Sequence, residues 1–278
     1  MSDRRITFVL SGGGVKAAAG IGAARVAGQL GLAPTRYVGT SLGAVMAAVL
    51  ATGMAASEAA QRLLAAAERP FGKPTLATLA RGIFAPALLK ADRLEQLITE
   101  LLPVARFDQL KIPLTVTATD VDSGALVLFG DGGEDVPLVV ALSASCALPV
   151  YLPPRIVGTR RLADGGLRTV LPLEVAAGFP ADRVIAVDTG SGFDELPSTG
   201  SPPPALIGAH DQAIGILMAE QTRQALAYWR AMPGRPPLTY IRPPVERGAT
   251  FRADQIARYL EAGEHAAHEA LALTLPPA

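Results

Sequence analysis

Two stretches near the amino terminus each combine an apolar strand pattern, a small-residue turn and a helix pattern. The first covers residues 5–31 and has Gly12-Gly13-Gly14 at its turn, and the second covers residues 37–54 and turns at Thr40-Ser41. Strands that alternate with helices through short turns are typical of α/β proteins. The repeat therefore predicts a three-layer α/β/α fold with a largely parallel central sheet.

The remaining chain continues the alternation. Further strands are predicted over 113–120, 125–130, 161–163, 182–188 and 238–242, and helices over 57–68, 92–102, 136–147, 205–232 and 252–275. Asp122-Ser123-Gly124 predicts a hairpin between the first two of these strands, and the apolar run 182–188 is typical of a central parallel strand. We predict one domain over residues 1–278, with its motifs within 6–190 and a mostly helical part of the same domain over 205–278.

Composition excludes several classes of protein. Of the 278 residues, 50% are hydrophobic and 18% are charged, which excludes a disordered chain. Lys plus Arg and Asp plus Glu are equal at 25 each, so no basic surface for nucleic acid is indicated. The single cysteine, Cys146, excludes an internal disulfide framework and is typical of a reducing compartment.

The location of the protein is predicted from its apolar stretches. The run Ile6 to Leu10 is too short for the core of a signal peptide. The uncharged stretches 37–57 and 136–154 are interrupted by polar residues and glycine or by prolines, so we expect buried elements there and not membrane spans. The sequence predicts a cytoplasmic protein.

Gly39-Thr40-Ser41-Leu42-Gly43 fits the G-x-S-x-G pattern of a nucleophilic serine. Its glycines permit a sharp turn between a strand and a helix, and that turn exposes the serine hydroxyl. The predicted strand before it and the helix after it supply the context that the pattern requires. An ordinary turn with Ser41 as helix N-cap stays open as the alternative.

A base for this serine is not evident among the histidines. His210, His265 and His268 all lie in the helical C-terminal third, where we expect surface or packing roles. Asp164 ends an apolar run and precedes two glycines, which makes it a candidate base. A free aspartate titrates near pH 4, so burial or close geometry would have to adapt it to this role. A plain Asp-Gly-Gly turn is the alternative.

The first glycine turn offers backbone N–H groups at the start of a helix, which suits an anion or an oxyanion. A dinucleotide fingerprint is the rival interpretation, since Gly12, Gly14 and Ala17 fit G-x-G-x-x-A. That fingerprint requires an acidic residue about 20 positions later, and none occurs between Asp3 and Glu58. Arg36 keeps an NADP-binding variant open.

Four motifs together resemble the patatin-like phospholipase family, and in particular its bacterial single-domain members, in content, order and spacing. They are Gly12-Gly13-Gly14-x-Lys16, Gly39-Thr40-Ser41-Leu42-Gly43, Ala144-Ser145-x-x-x-Pro149 and Asp164-Gly165-Gly166. The resemblance covers about residues 6–190. It implies that Ser41 is the nucleophile, that Asp164 is its dyad partner, and that the turn Gly12 to Gly14 is the oxyanion hole.

The same resemblance assigns supporting roles around the site. They fall to Lys16, Gly39, Gly43, Gly165 and Gly166, and Ser145 is expected to pack or cap near the site without acting as a second nucleophile. Ala17 departs from the family, which often has glycine there, and this concerns the fine geometry of the turn.

The implied function is a serine acyl hydrolase of the lipase or phospholipase A type that cleaves acyl esters of lipids. No cofactor or metal is expected, because Asp120 and Asp122 are better suited to closing a hairpin than to binding calcium. An acyltransferase with the same nucleophile and a catalytically idle lipid-binding or regulatory module stay open.

The expected partner is a lipid or acyl-ester substrate, with peripheral contact at a membrane surface and no nucleic acid. Phe71 to Lys90 mixes apolar residues such as Phe84 and Leu88 with basic ones. That pattern suits a mobile lid or a membrane-surface patch, and an ordinary covering helix equally.

Overall fold

One sheet of eight strands organises this computed structural model, which describes residues 4–67, 91–193, 204–246 and 252–273. The strands are β1 (Ile6–Leu10), β2 (Arg36–Thr40), β3 (Leu114–Asp120), β4 (Leu126–Gly130), β5 (Arg155–Val157), β6 (Arg160–Asp164), β7 (Arg183–Val187) and β8 (Leu238–Ile241). Their order is β5-β6-β3-β2-β1-β7-β8, and β4 also pairs with β3. Because β3, β2, β1, β7 and β8 are mutually parallel, the predicted largely parallel sheet is confirmed.

Eight α-helices lie between or after these strands in the described parts of the chain. They are α1 (Ala19–Gln29), α2 (Leu42–Ala51), α3 (Ala56–Ala67), α4 (Ala91–Leu101), α5 (Leu138–Ser145), α6 (Leu173–Ala176), α7 (Ala205–Ala231) and α8 (Ile256–Ala272). Short 3-10 turns occur at Gly14–Ala18, Phe107–Gln109, Gly165–Leu167 and Ala253–Gln255. The sequence missed the short elements β5 and α6, whereas the predicted segment 71–90 lies outside the described residues.

The helices cover both faces of the sheet. Phe8 and Leu10 point to one face, where they pack in a core that includes α1, α2 and α8. Val9 points to the other face and packs with Leu226 and Trp229 of α7. Successive side chains of the strand thus pack in the cores on opposite faces of the sheet, as is typical of strands that are buried on both sides. The three-layer α/β/α architecture is confirmed.

Helix α8 is held against α1 at a close backbone crossing. A Cβ atom on Gly22 would overlap the carbonyl oxygen of Leu260, and one on Gly263 would overlap the carbonyl oxygen of Ala19. Only glycine permits this approach. The crossing joins the C-terminal helix to the first βα unit, while the predicted single domain over 1–278 also includes residues outside the described ranges and stays a prediction.

Strand β3 brings the ends of two distant strands together. Residues 115–119 of β3 pair with β4 along one edge of the strand. Along the opposite edge, residues 114–117 of β3 pair with β2 and residues 118–120 pair with β6. There β2 runs parallel to β3 and β6 runs antiparallel, so their carboxyl ends meet. Thr40 lies opposite Thr117, and Asp164 lies opposite the next residue, Ala118.

None of the helices in the described ranges has the length and apolar character needed to cross a bilayer.

Candidate active site

Ser41 lies in the sharp turn between β2 and α2. Its backbone has φ 55° and ψ −137°, a left-handed φ that a residue other than glycine adopts only where the surroundings hold it. The Ser41 carbonyl accepts the N–H of Ala44 at 2.9 Å, which begins the helix. A Cβ on Gly43 would overlap the Ser11 carbonyl, so the small residue lets α2 start directly against the end of β1.

The Ser41 hydroxyl faces Asp164. Its Oγ donates to Asp164 Oδ2 at 2.6 Å, and the hydroxyl makes no capping bond to helix α2. Asp164 Oδ1 accepts the N–H of Gly166 at 2.7 Å. One oxygen therefore caps the Asp-Gly-Gly turn that the sequence left open as the alternative, and the other accepts the serine hydroxyl.

Burial raises the pKa of Asp164. Asp164 is buried, whereas Ser41 is half-buried. Desolvation raises the pKa of Asp164 to about 6, and the bonds from Ser41 and the Gly166 N–H oppose that rise. A carboxylate with a pKa near 6 is a better proton acceptor at neutral pH than an ordinary aspartate. A raised pKa is the adaptation that a base at this position needs, and the role of Asp164 as that base stays a prediction.

The glycine turn lies against the nucleophile. A Cβ on Gly12 would lie 3.3 Å from Ser41 Cβ, and Gly14 has a left-handed φ of 63°. The N–H of Gly12 donates to the Val170 carbonyl at 2.9 Å, while the N–H groups of Gly13 and Gly14 have no acceptor among the described residues. Two unused donors therefore belong to the turn beside Ser41.

Two contacts anchor this turn from outside. Thr189 donates its N–H to Ser11 Oγ at 2.7 Å, which ties the turn to the loop after β7. The buried Lys16 donates from Nζ to the Glu246 carbonyl at 3.4 Å, which ties the turn to the segment after β8. Lys16 thus ties the turn to a distant segment, and its role as support for the site stays a prediction.

Ser145 reaches the nucleophile from helix α5. It is fully buried, and its Oγ accepts the backbone N–H of Ser41 at 2.8 Å. This is the capping contact expected for Ser145, made to the strained residue itself. Ser145 therefore satisfies an amide that the turn would otherwise leave buried without a partner.

Three further residues at the site were not found by sequence reasoning. Val170 and Thr189 act on the turn through backbone groups, which no side-chain pattern reveals. Cys146 is buried beside the pair, and burial, followed by the charge of Asp164, raises the pKa of its thiol well above the ordinary value. Its position next to Ser145 in the third motif was the one available signal.

The remaining sequence candidates lie elsewhere. His265 and His268 are exposed on α8, and His210 Nδ1 lies 3.2 Å from Asp211 on α7. Asp120 Oδ1 accepts the N–H of Asp122 at 2.9 Å and closes the hairpin, as predicted. In the parts of the chain that the structure describes, no group of three or more His, Cys, Asp or Glu residues is placed to hold a metal.

The NADP-binding alternative is wrong. Arg36 lies at the beginning of β2, whereas the glycine turn follows the carboxyl end of β1. Because β1 and β2 are parallel neighbours, these two positions lie at opposite ends of the strands. The guanidinium forms an ion pair with Asp131 and lies 3.9 Å from the centre of the Phe179 ring. Arg36 therefore cannot face a nucleotide held by the glycine turn.

An apolar recess begins next to the site. Its lining includes Val15, which follows the glycine turn, and Leu42, which follows Ser41. Val45 and Met46 of α2 and Leu97 of α4 extend the lining away from the serine. The recess thus has an apolar lining that includes the chain neighbours of Ser41 and of the glycine turn.

The fold and the site define a class of α/β protein with a serine–carboxylate pair where strand ends meet. The chain belongs to the patatin-like phospholipase family, which its sequence matches over residues 8–177.

Relatives support this membership. An uncharacterized NTE family protein of Mycobacterium tuberculosis is 33% identical over 186 residues, covering 67% of this chain and 49% of the relative. A second such protein of that species is 28% identical over 287 residues, covering 98% of this chain and 47% of the relative. The chain thus spans about half the length of these relatives.

A solved structure has a similar fold. VipD from Legionella pneumophila matches with a TM-score of 0.51 and 14% sequence identity, covering 97% of this chain and 67% of that chain. At this identity the likeness concerns the fold alone.

Proposed function

We propose that this protein is a serine acyl hydrolase, of the lipase or phospholipase A type, that cleaves acyl esters of lipids through a Ser41–Asp164 dyad. One observation carries the proposal: Ser41 Oγ donates to Asp164 Oδ2 at 2.6 Å from a strained turn between strand and helix. Membership of the patatin-like phospholipase family supports a lipid as the substrate.

In the first step, Asp164 Oδ2 accepts the Ser41 proton while Ser41 Oγ attacks the ester carbonyl. The carbonyl oxygen becomes an oxyanion, and we assign its stabilisation to the N–H groups of Gly13 and Gly14. Gly12 shapes the turn, since its own N–H is bound to Val170. The intermediate then collapses, the ester bond breaks, and the proton on Asp164 passes to the departing alcohol.

In the second step, water attacks the acyl-serine and gives its proton to Asp164. The same donors stabilise the second oxyanion. Collapse releases the fatty acid, and Asp164 returns the proton to Ser41 Oγ. Atoms and charges balance over the cycle, and the net reaction consumes one water molecule for each ester bond.

The apolar recess supports an acyl group as the part of the substrate held beside the serine. Leu42 directly follows Ser41 in the chain and Val15 directly follows the glycine turn, and the lining continues with aliphatic side chains. Burial of each methylene in such a recess contributes about 0.8 kcal/mol. The proposed contact with a membrane surface accounts for how the protein reaches lipids that are insoluble in water.

Fatty acid release from phosphatidylcholine in mixed detergent micelles tests the function. Wild-type protein is expected to release fatty acid, and Ser41→Ala to release none above background. Adding glycerol as an acyl acceptor distinguishes a transferase, whose main product would be the new ester. Bound lipid without turnover would replace the proposal with a lipid-binding module.

Ser145→Ala is expected to lower kcat for a soluble ester about tenfold with little change in KM. The substitution leaves the Ser41 N–H without its acceptor, and a buried unpaired amide costs about 1–3 kcal/mol. The strained turn then loses the contact that fixes the serine, so the hydroxyl reaches the attacking geometry less often.

Two further variants separate this positioning role from general damage to helix α5. Ser145→Thr keeps a hydroxyl and is expected to recover most of kcat. Ser143→Ala removes another hydroxyl of the same helix, one that donates to the Val140 carbonyl at 3.2 Å, and kcat should change less than twofold. Steady-state kinetics that show wild-type kcat in Ser145→Ala would contradict the assigned role.

A further inference from the structure

The outward face of helix α7 is apolar along its first half. The buried residues of this 27-residue helix, Ala219, Thr222, Leu226 and Trp229, all belong to its second half. In the first half, Leu206, Ile216 and Leu217 are 71%, 51% and 60% exposed. Surface helices normally direct polar residues outward, so this half lacks the usual solvent-facing side.

The composition of the face changes midway along the helix. Glu220, Arg223 and Gln224 follow the apolar half, and Arg223 Nη2 and Gln224 Nε2 both donate to Glu220 Oε1, at 2.6 and 2.8 Å. At about 100° per residue, Leu206, Leu217 and Gln224 share one side of the helix. The same side is thus apolar first and polar afterwards, so the apolar half is a local feature.

The apolar half borders the serine–aspartate pair. A Cβ on Gly166, whose N–H bonds Asp164, would lie 3.0 Å from Met218 Cε. Gln221 Nε2 donates to the Leu167 carbonyl at 3.0 Å. The helix therefore passes beside the turn that carries the proposed base.

Two exposed apolar side chains outside the helix extend the face. Val150 is 40% exposed at a φ of 72°, a costly conformation for a β-branched residue. Its neighbour Tyr151 donates its hydroxyl to Asp211 of α7 at 2.6 Å, which places Val150 near the helix. Phe193 is 65% exposed and lies two residues after Ser191, whose Oγ would be 3.3 Å from a Cβ added to Gly215 of α7.

Charge around this face suits a phospholipid surface. Within residues 204–219 the one charged side chain is Asp211, and its carboxylate is engaged by Tyr151 and His210. Arg168 directly follows Leu167, is exposed, and has no carboxylate partner in the described ranges. An apolar face without an exposed carboxylate and with a cation beside it complements acyl chains and lipid phosphates.

We propose that this docking face, made of Val150, Phe193, Leu206, Ile216 and Leu217, binds the surface of a phospholipid bilayer. It places the bilayer beside Ser41, so that an acyl ester can pass from the membrane to the site. The inference rests on the proposed function for its choice of a lipid surface over a second copy of this chain. Its test does not, because binding to vesicles requires no turnover.

Co-sedimentation with phosphatidylcholine vesicles containing phosphatidylglycerol tests the face, in the Ser41→Ala background so that the vesicles stay intact. The double variant Ile216→Gln/Leu217→Gln is expected to bind about tenfold more weakly. Tyr228→Gln is the matched control, because it removes a 55% exposed side chain from the polar half of the same helix. Its vesicle binding should stay within twofold.

Turnover of p-nitrophenyl butyrate, a soluble ester, is measured on the same substitutions with Ser41 intact. The double variant should keep wild-type turnover, which shows that the fold and the dyad are unaffected. Vesicle binding unchanged by the double variant, or absent in the reference protein, would overturn the docking face. A dimer that the double variant dissociates without a change in vesicle binding would overturn it in favour of a self-interface.

The two proposals fail in different ways. Loss of vesicle binding in the double variant, combined with no ester turnover in wild-type protein, would support the docking face and reject the hydrolase.

Discussion

Replacing Asp164 with asparagine is expected to lower ester turnover by about 10³-fold while the protein stays folded. A neutral amide cannot accept the Ser41 proton, and loss of a general base typically costs about 10²- to 10⁴-fold. The asparagine carbonyl can still accept the Gly166 N–H that Asp164 Oδ1 accepts at 2.7 Å, so the turn is preserved. Steady-state kinetics with a soluble ester measure the effect.

Asp120→Asn is the matched control for this loss. Asp120 also caps a turn, through Oδ1 and the N–H of Asp122, but it lies in the β3–β4 hairpin. Turnover of this variant should remain within twofold of wild type. Comparable losses in both variants would indicate that the loss of any carboxylate lowers the rate. Asp164 would then have no specific role as the base.

The raised pKa of Asp164 also predicts how activity depends on pH. Because burial raises that pKa to about 6, the carboxylate becomes available as a base only as the pH rises through 6. kcat/KM should therefore increase with pH along a limb centred near pH 6 and then level. A limb centred near pH 4 would show that Asp164 titrates as an ordinary aspartate and contradict this account.

The same shift predicts that folding stability depends on pH in a defined direction. A carboxyl with a raised pKa stabilises the fold when protonated, and this contribution is lost as the pH rises from about 4 through 6. Asp164→Asn should therefore exceed wild type in free energy of unfolding at pH 8, by up to about 3 kcal/mol. Urea denaturation at pH 4 and pH 8 should show this gain shrinking at the lower pH.

Gly22→Ala is expected to lower the free energy of unfolding by about 2–4 kcal/mol. The added methyl group would overlap the Leu260 carbonyl, so α8 must move away from α1 and lose packing along the crossing. Gly28→Ala in the same helix meets no atom within 4 Å. It should stabilise the protein by about 0.5–1 kcal/mol, since alanine favours the helix.

Urea denaturation of both glycine variants separates the crossing from general helix effects. Opposite signs for the two substitutions are expected. Destabilisation of similar size by both would show that the crossing between α1 and α8 is not what makes Gly22 sensitive.

The local parts of the site could be predicted from the sequence. Ser41 and the glycine turn each lie between a strand and a helix that adjoin them in the chain, so patterns of a few residues identify them. The partnership of Ser41 with Asp164 came from the resemblance to a family. The two residues meet because the carboxyl ends of β2 and β6 come together along β3. That arrangement depends on pairing between segments about 120 residues apart, which no local pattern specifies.

Other features require neighbours that no local pattern specifies. The sequence predicts helix α7 over its full length, yet Leu206, Ile216 and Leu217 look like core residues until the sheet is placed. The short elements β5 and α6 carry too few residues for a periodic signal. The predicted lid or membrane patch over 71–90 lies outside the described residues and stays a prediction.

Intact-mass analysis after treatment with a fluorophosphonate tests the central claim, that Ser41 is a nucleophile activated by Asp164. At pH 8 the wild-type protein should gain the mass of one adduct, Asp164→Asn should react far more slowly, and Ser41→Ala should gain none. An adduct that persists in Ser41→Ala, or a folded wild-type protein that stays unlabelled, would contradict the claim.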